Sequence, residues 1–98
     1  MIRHMIFWNL APTVTNKLAV IGEIQTQFRE MAAKIDGLAN VAIDGDLGCG
    51  THDVGLYCEF DSWTALKNYY AHPLQMAFRT QTKDILLDRS CVDLEVTQ

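Results

Sequence analysis

No stretch of the 98-residue sequence approaches the roughly 20 consecutive apolar residues that a bilayer-spanning helix needs, so no membrane partner is expected. The chain also lacks a basic stripe. Its eight Lys and Arg are scattered among twelve Asp and Glu, for a net charge of -4. A phosphate backbone has nothing to grip, and nucleic acid is not an expected partner. Cysteine is scarce and odd in number. Cys49, Cys58 and Cys91 show no CxxC spacing, which fits reduced thiols in a cytoplasmic protein better than a disulfide frame or a zinc site. The glycines of the one glycine-rich stretch open no helix, so they form no phosphate cradle, and no cofactor motif is present. Proline occurs only at Pro12 and Pro73, so each one punctuates the chain.

What remains is a globular composition, 49% hydrophobic and 20% charged, of a length suited to a single domain spanning residues 1–98. Residues 2–10 alternate strictly. Ile2, His4, Ile6, Trp8 and Leu10 share one face, Met5 and Phe7 the other, so both faces of this strand call for cover. Thr15 is the expected N-cap of an amphipathic helix carrying Leu18, Ile21, Ile24, Phe28, Met31, Ala32 and Ile35, which Gly37 stops. Ala39 to Ile43 reads as a second strand. The segment 44–53, with Asp44, Asp46, His52 and Asp53, offers oxygen and imidazole ligands, but its spacing matches neither an EF-hand nor a zinc motif and it reads as a solvated hairpin loop. Val54 to Phe60 returns as a strand, and Asp61-Ser62 caps the next helix, whose apolar side is Trp63, Leu66 and Tyr70. The chain closes on Val92, Leu94 and Val96 alternating with Cys91, Asp93 and Glu95, a half-buried strand.

The joint Tyr69-Tyr70-Ala71-His72-Pro73-Leu74-Gln75-Met76 organises the second half. Pro73 disfavours the α region for His72 and donates no N–H, so the incoming helix stops there. A new helix starts with His72 as cap and Pro73 at its first position. It carries Met76, Ala77, Phe78 and Thr80 toward Ile85 and Leu86.

The order strand, helix, strand, strand, helix, strand is an α+β, ferredoxin-like split βαβ arrangement with four antiparallel strands and helices on one face. Its third and fourth strands flank the first, which sets Cys58 and Cys91 about 9–10 Å apart, too far for a disulfide. The face carrying Met5, Phe7 and Tyr57 is left open, and a second copy of the sheet is its economical cover, at about 25 cal/mol per Å² buried. A homodimer through that face is therefore expected.

Four pieces of sequence resemble the stress-responsive dimeric α/β-barrel (Dabb) proteins: the opening Ile2-Arg3-His4-Met5-Ile6, the block Asp53 to Phe60 followed by Asp61-Ser62 and Ala65-Leu66, the signature Tyr69-Tyr70-Ala71-His72-Pro73, and the ending Asp88 to Val96. The resemblance implies a ferredoxin-like protomer whose sheet pairs with a second protomer's into a barrel, and a stress-associated role. It also implies proton-handling roles for Tyr69 and His4, the positions matching a tyrosine and a histidine of a cofactor-free plant polyketide cyclase of the family. Gln75 stands where that cyclase has its basic histidine, and Val54 where it has another pocket histidine. An amide does not titrate and cannot act as the base.

Two functions follow as expectations. One is a small dimeric protein that binds a hydrophobic ligand in a pocket with Trp8, Phe28, Val54, His72 and Gln75 as contacts, without cofactor or metal. The other is a cofactor-free enzyme, cyclase-like or a related lyase or monooxygenase, that uses Tyr69 and His4. Trp8, Phe28 and Trp63 are expected as core aromatics first.

Overall fold

The computed structural model describes residues 1–96. The chain runs β1 (Ile2–Leu10), α1 (Lys17–Ala32), β2 (Leu38–Gly45), β3 (Val54–Phe60), α2 (Trp63–Ala71), α3 (Pro73–Thr82) and β4 (Leu86–Glu95). The strands form one antiparallel sheet in the order β2-β3-β1-β4, with the core between it and the helices. This is the ferredoxin-like architecture expected from the sequence, with the second helix broken in two. Among the described residues no helix is long and apolar enough to cross a membrane.

β1 is central and two-faced. Ile2, His4, Ile6, Trp8 and Leu10 are buried beneath the helices, while Phe7 on the other face is 39% exposed. α1 lays Ile21, Ile24, Phe28, Met31 and Ala32 along that core, the stripe that helical periodicity demands. Its cap is Asn16, whose side-chain oxygen accepts from the Ala19 N–H at 3.1 Å, so Thr15 lies outside the helix. Leu18 leaves the stripe and stands 84% exposed in the first turn, before the helix has reached the sheet. Ser62 caps α2 as expected, accepting from the Ala65 N–H at 3.1 Å. Trp63 is 58% exposed at the first position of α2 and is not a core aromatic, because the helix turns Ala65, Leu66 and Tyr69 inward instead.

His72 ends α2 and caps α3. Its backbone is extended (φ -71°, ψ 135°), its N–H donates to the Tyr69 carbonyl at 3.1 Å, and its Nδ1 accepts from the Leu74 N–H at 3.1 Å. Beyond it, α3 buries Gln75, Phe78 and Thr82 and leaves Met76 more than half exposed. Leu86 opens β4 rather than ending the helix, and the strand is longer than its alternating tail suggested.

The 46–53 loop binds its own backbone. An Asp46 carboxylate oxygen accepts from the Gly48 N–H at 2.7 Å and the Gly50 N–H at 3.1 Å. The Asp53 carboxylate accepts from the Leu10 N–H at 2.8 Å and from Lys17 Nζ at 3.4 Å, and the Leu10 bond holds its carboxyl below the usual range. Cys49, Cys58 and Cys91 are free thiols.

Two glycines test this account in opposite directions. Gly37 turns the chain into β2 at φ +81°, and a Cβ there would meet the Ala65 Cβ at 2.7 Å and an Asp61 carboxylate oxygen at 2.9 Å. Gly22, inside α1, has open space around a built Cβ. Gly37→Ala is expected to cost more than the ~1–2 kcal/mol of left-handed backbone strain alone. Gly22→Ala should stabilise by about 0.5–1 kcal/mol. Thermal denaturation of the two variants should move the midpoint in opposite directions, and a shared sign would contradict the placement of one of these residues.

Candidate functional site

A cavity of about 210 Å³ opens between the helices and the sheet. β1 supplies Ile6 and Trp8, α1 Phe28, α2 Tyr69, and α3 Gln75 and Phe78. This is below the ~300–1,000 Å³ of sites for drug-sized ligands, so it suits a body of one ring or similar bulk. Of the residues expected to touch a ligand, Trp8, Phe28, Tyr69 and Gln75 come together here. The other three lie elsewhere. His72 holds the helix joint. Val54 is buried on β3 opposite Trp8 and borders a different, open groove under the 46–53 loop beside Phe7. His4 lies behind the wall, its ring 5.6 Å from that of Tyr69 and nearly edge-on to it.

Tyr69 is the hinge between the two regions. Only 1% exposed, it packs its ring against Phe28, Phe60, Tyr70 and His4. Burial is the main cause that pushes its phenol well above the usual range, so it stays protonated and acts as a donor. Gln75 is 4% exposed, and its side-chain oxygen is buried with no hydrogen-bond partner among the described residues. A buried acceptor without a donor costs free energy, and this one lies on the wall of the cavity.

Behind Tyr69 sits a polar cluster that sequence reasoning found only in part. His4 is fully buried, and its Nδ1 is hydrogen-bonded to a carboxylate oxygen of Asp93, the residue paired with it across β4. An ionised carboxylate only accepts, so Nδ1 carries the proton and Nε2 is a bare lone pair, buried and without a partner. The Tyr70 hydroxyl donates to the other Asp93 oxygen at 2.9 Å and lies 3.6 Å from the exposed Cys91 sulfur. Burial first, then its bonds to Cys91 and Asp93, raise the Tyr70 phenol as well. On β3 the Cys58 thiol is pushed up to about 12, mainly by burial, and is no nucleophile near neutrality. His4, Cys91 and Asp93 bring ligand-type atoms within 4.8 Å of one another, the one such grouping among the described residues. Its imidazole and carboxylate are already bonded to each other.

Two influences compete at His4. Burial disfavours the imidazolium, while the Asp93 carboxylate favours it. Burial dominates and the pKa falls below the ordinary 6.5. A group whose folded pKa is depressed takes its proton first in the unfolded chain. Its contribution to stability is therefore full above about 6.5 and is lost as the pH falls through the folded value. An NMR titration of the three histidines should give His4 a midpoint below 6.5, and a midpoint above it would show that Asp93 outweighs burial.

Asp93 and Tyr70 were not anticipated as site residues, nor were Arg79, Lys83 and Arg89, which also line the cavity. Asp93 alternates with Val92 and Leu94, and only the register of β4 on β1 reveals that it faces His4.

In sequence, no curated protein matches the chain. Among solved structures, a dimeric ferredoxin-like protein of unknown function from Bacteroides fragilis superposes with a TM-score of 0.82 at 26% identity, over 97% of this chain and 95% of that one. A dimeric ferredoxin-like protein of unknown function from Thermobifida fusca does so with a TM-score of 0.82 at 27% identity, over 97% and 90%. A Dabb family protein from Mesorhizobium loti shares the fold at 17% identity, with a TM-score of 0.80 over 99% and 97%. The family profile of the stress responsive A/B barrel domain matches residues 2–96. The chain belongs to the stress responsive A/B barrel domain (Dabb) family.

Proposed function

We propose that the protein is a homodimer whose protomers each hold a small ligand in the cavity between helices and sheet, and that it binds this ligand without transforming it. The observation that carries the reading is the chemistry of the cavity wall. Its titratable residues are Tyr69, Arg79, Lys83 and Arg89. The phenol stays protonated, and Arg and Lys side chains only donate. Gln75 cannot titrate. A wall of this kind orients and encloses a ligand but takes no proton from it.

Dimerisation through the open face is supported by what that face presents. Phe7, Val92 and Leu94 are 39%, 43% and 46% exposed on the same side of the sheet as Met5 and Tyr57. Met5, Phe7, Tyr57 and Val92 form an apolar patch bordered by the Arg3 and Glu59 pair, and a patch of this kind asks for cover. The Bacteroides fragilis and Thermobifida fusca proteins are both described as dimeric. A face that meets its own copy around a two-fold axis has to be self-complementary.

A second reading, a cofactor-free enzyme using Tyr69 and His4, has one observation in its favour. Asp93 holds His4 in a single tautomer with Nε2 free, as an orienting carboxylate does for a general base. The same imidazole is fully buried and lies outside the cavity lining, so a substrate in the cavity meets Tyr69 first.

Two experiments test these readings. In a Trp63→Phe protein, Trp8 is the remaining tryptophan and lies on the cavity wall. Titration with toluene, benzoate and phenylacetate should change its fluorescence saturably, and Ile6→Phe, which fills the cavity without adding a tryptophan, should abolish the change. An absence of response to every probe would leave the cavity without a binding role. For assembly, Phe7→Glu would bury an unpaired charge at the seam, so sedimentation should show monomer or aggregate where the native chain sediments as a dimer. An unchanged dimer would place the interface elsewhere.

A further inference from the structure

We propose that the cavity selects a small organic anion: a carboxylate on a flat, ring-like body, bound by Arg89, Arg79 and Lys83 at the solvent side and by a hydrogen bond to Gln75 within. This deepens the ligand-binding reading and rests on it.

The charge distribution points there first. Three of the chain's eight Lys and Arg line this one small cavity, while no Asp or Glu does, in a protein of net charge -4. All three are exposed side chains, so they stand at the mouth. Cations gathered around an apolar hollow repel one another and attract an anion whose apolar part can enter it. The field of Arg89 also reaches inward, where it opposes protonation of His4 and eases ionisation of Tyr69.

The backbone at Arg89 is the second observation. The β1–β4 ladder pairs Phe7 with Ser90 and Asn9 with Leu87, so Asp88 and Arg89 together lie opposite Trp8 as a β-bulge. Asp88 takes φ +54°, a left-handed conformation uncommon outside glycine, and Asn9 Nδ2 donates to its carboxylate at 3.0 Å. Bulges re-aim side chains beside functional sites, and strained backbone persists where the surroundings enforce it. Here the extra residue allows both Leu86 and Arg89 to line the same cavity.

Inside, the walls are the aromatic rings of Trp8, Phe28, Tyr69 and Phe78, and the buried oxygen of Gln75 lacks a donor. A ligand with a hydroxyl at the end remote from its carboxylate satisfies it. Guanidinium groups favour carboxylates because their paired N–H donors match the two oxygens.

The test compares isosteres that differ in charge. In the Trp63→Phe protein, benzoate is set against benzamide and phenylacetate against phenylacetamide, with Trp8 fluorescence as the readout. Each carboxylate should bind about ten- to a hundred-fold more tightly than its amide at low salt. Added sodium chloride should weaken the carboxylates and leave the amides unchanged. Arg89→Gln should remove most of the difference, by weakening the carboxylates far more than the amides. 4-Hydroxyphenylacetate should bind more tightly than phenylacetate, and Gln75→Leu should erase that advantage. Amides binding as tightly as carboxylates would overturn the anion assignment while leaving a ligand cavity in place. If none of the probes binds, the ligand reading falls and the anion assignment with it.

Discussion

The pairing of His4 with Asp93 constrains the molecule more widely than its size suggests. An imidazole at the middle of the central strand, on the side covered by helices, is fully buried and needs a hydrogen-bond acceptor that water cannot supply. The acceptor comes from the neighbouring strand, at the position directly across the ladder. Once Asp93 faces the helices, the period of two places Glu95 and Cys91 on that side as well, and sends Val92 and Leu94 to the open face beside Met5 and Phe7. One buried polar contact thus decides which side of β4 is apolar and leaves an apolar surface where solvent would otherwise meet the sheet.

The same inversion explains where the sequence was readable. Elements with strong periodicity were legible: the two-faced first strand, the stripe of α1 from Ile21 to Ala32, and the break at His72-Pro73. The fold class follows from their order. The side of β4 that faces inward was not legible, because alternation marks two faces without saying which is covered, and the usual rule assigns the apolar one to the core. Leu18, Trp63 and Met76 fit helical spacing, yet all three are exposed. Leu18 and Trp63 sit in first turns, where a helix has not yet closed on the sheet.

Of the candidate site, Trp8, Phe28, Tyr69 and Gln75 were identifiable as residues and converge as a group. The cations were not identifiable. Arg79, Lys83 and Arg89 look like ordinary solvated charges in sequence, and what distinguishes them is position: α3 presents the first two, and a bulge that hydrophobic patterning does not encode presents the third. The isolated surface charge and the cavity-lining one are the same residue type, separated only by geometry.

The helix joint gives the cavity its shape. In one continuous α-helix, at about 100° per residue, Tyr69 and Gln75 would point about 120° apart and could not both face a small hollow. The extended backbone at His72 resets the direction of the chain, and the imidazole restores a hydrogen bond to the new helix start, where Pro73 needs none. Tyr69 then enters the cavity from the last turn of α2 and Gln75 from the first turn of α3. The break therefore sets a phenolic donor and an amide acceptor on the walls of one hollow lined by Phe28, Phe78 and Trp8. His72 shapes the cavity through that geometry and is not among the residues that line it.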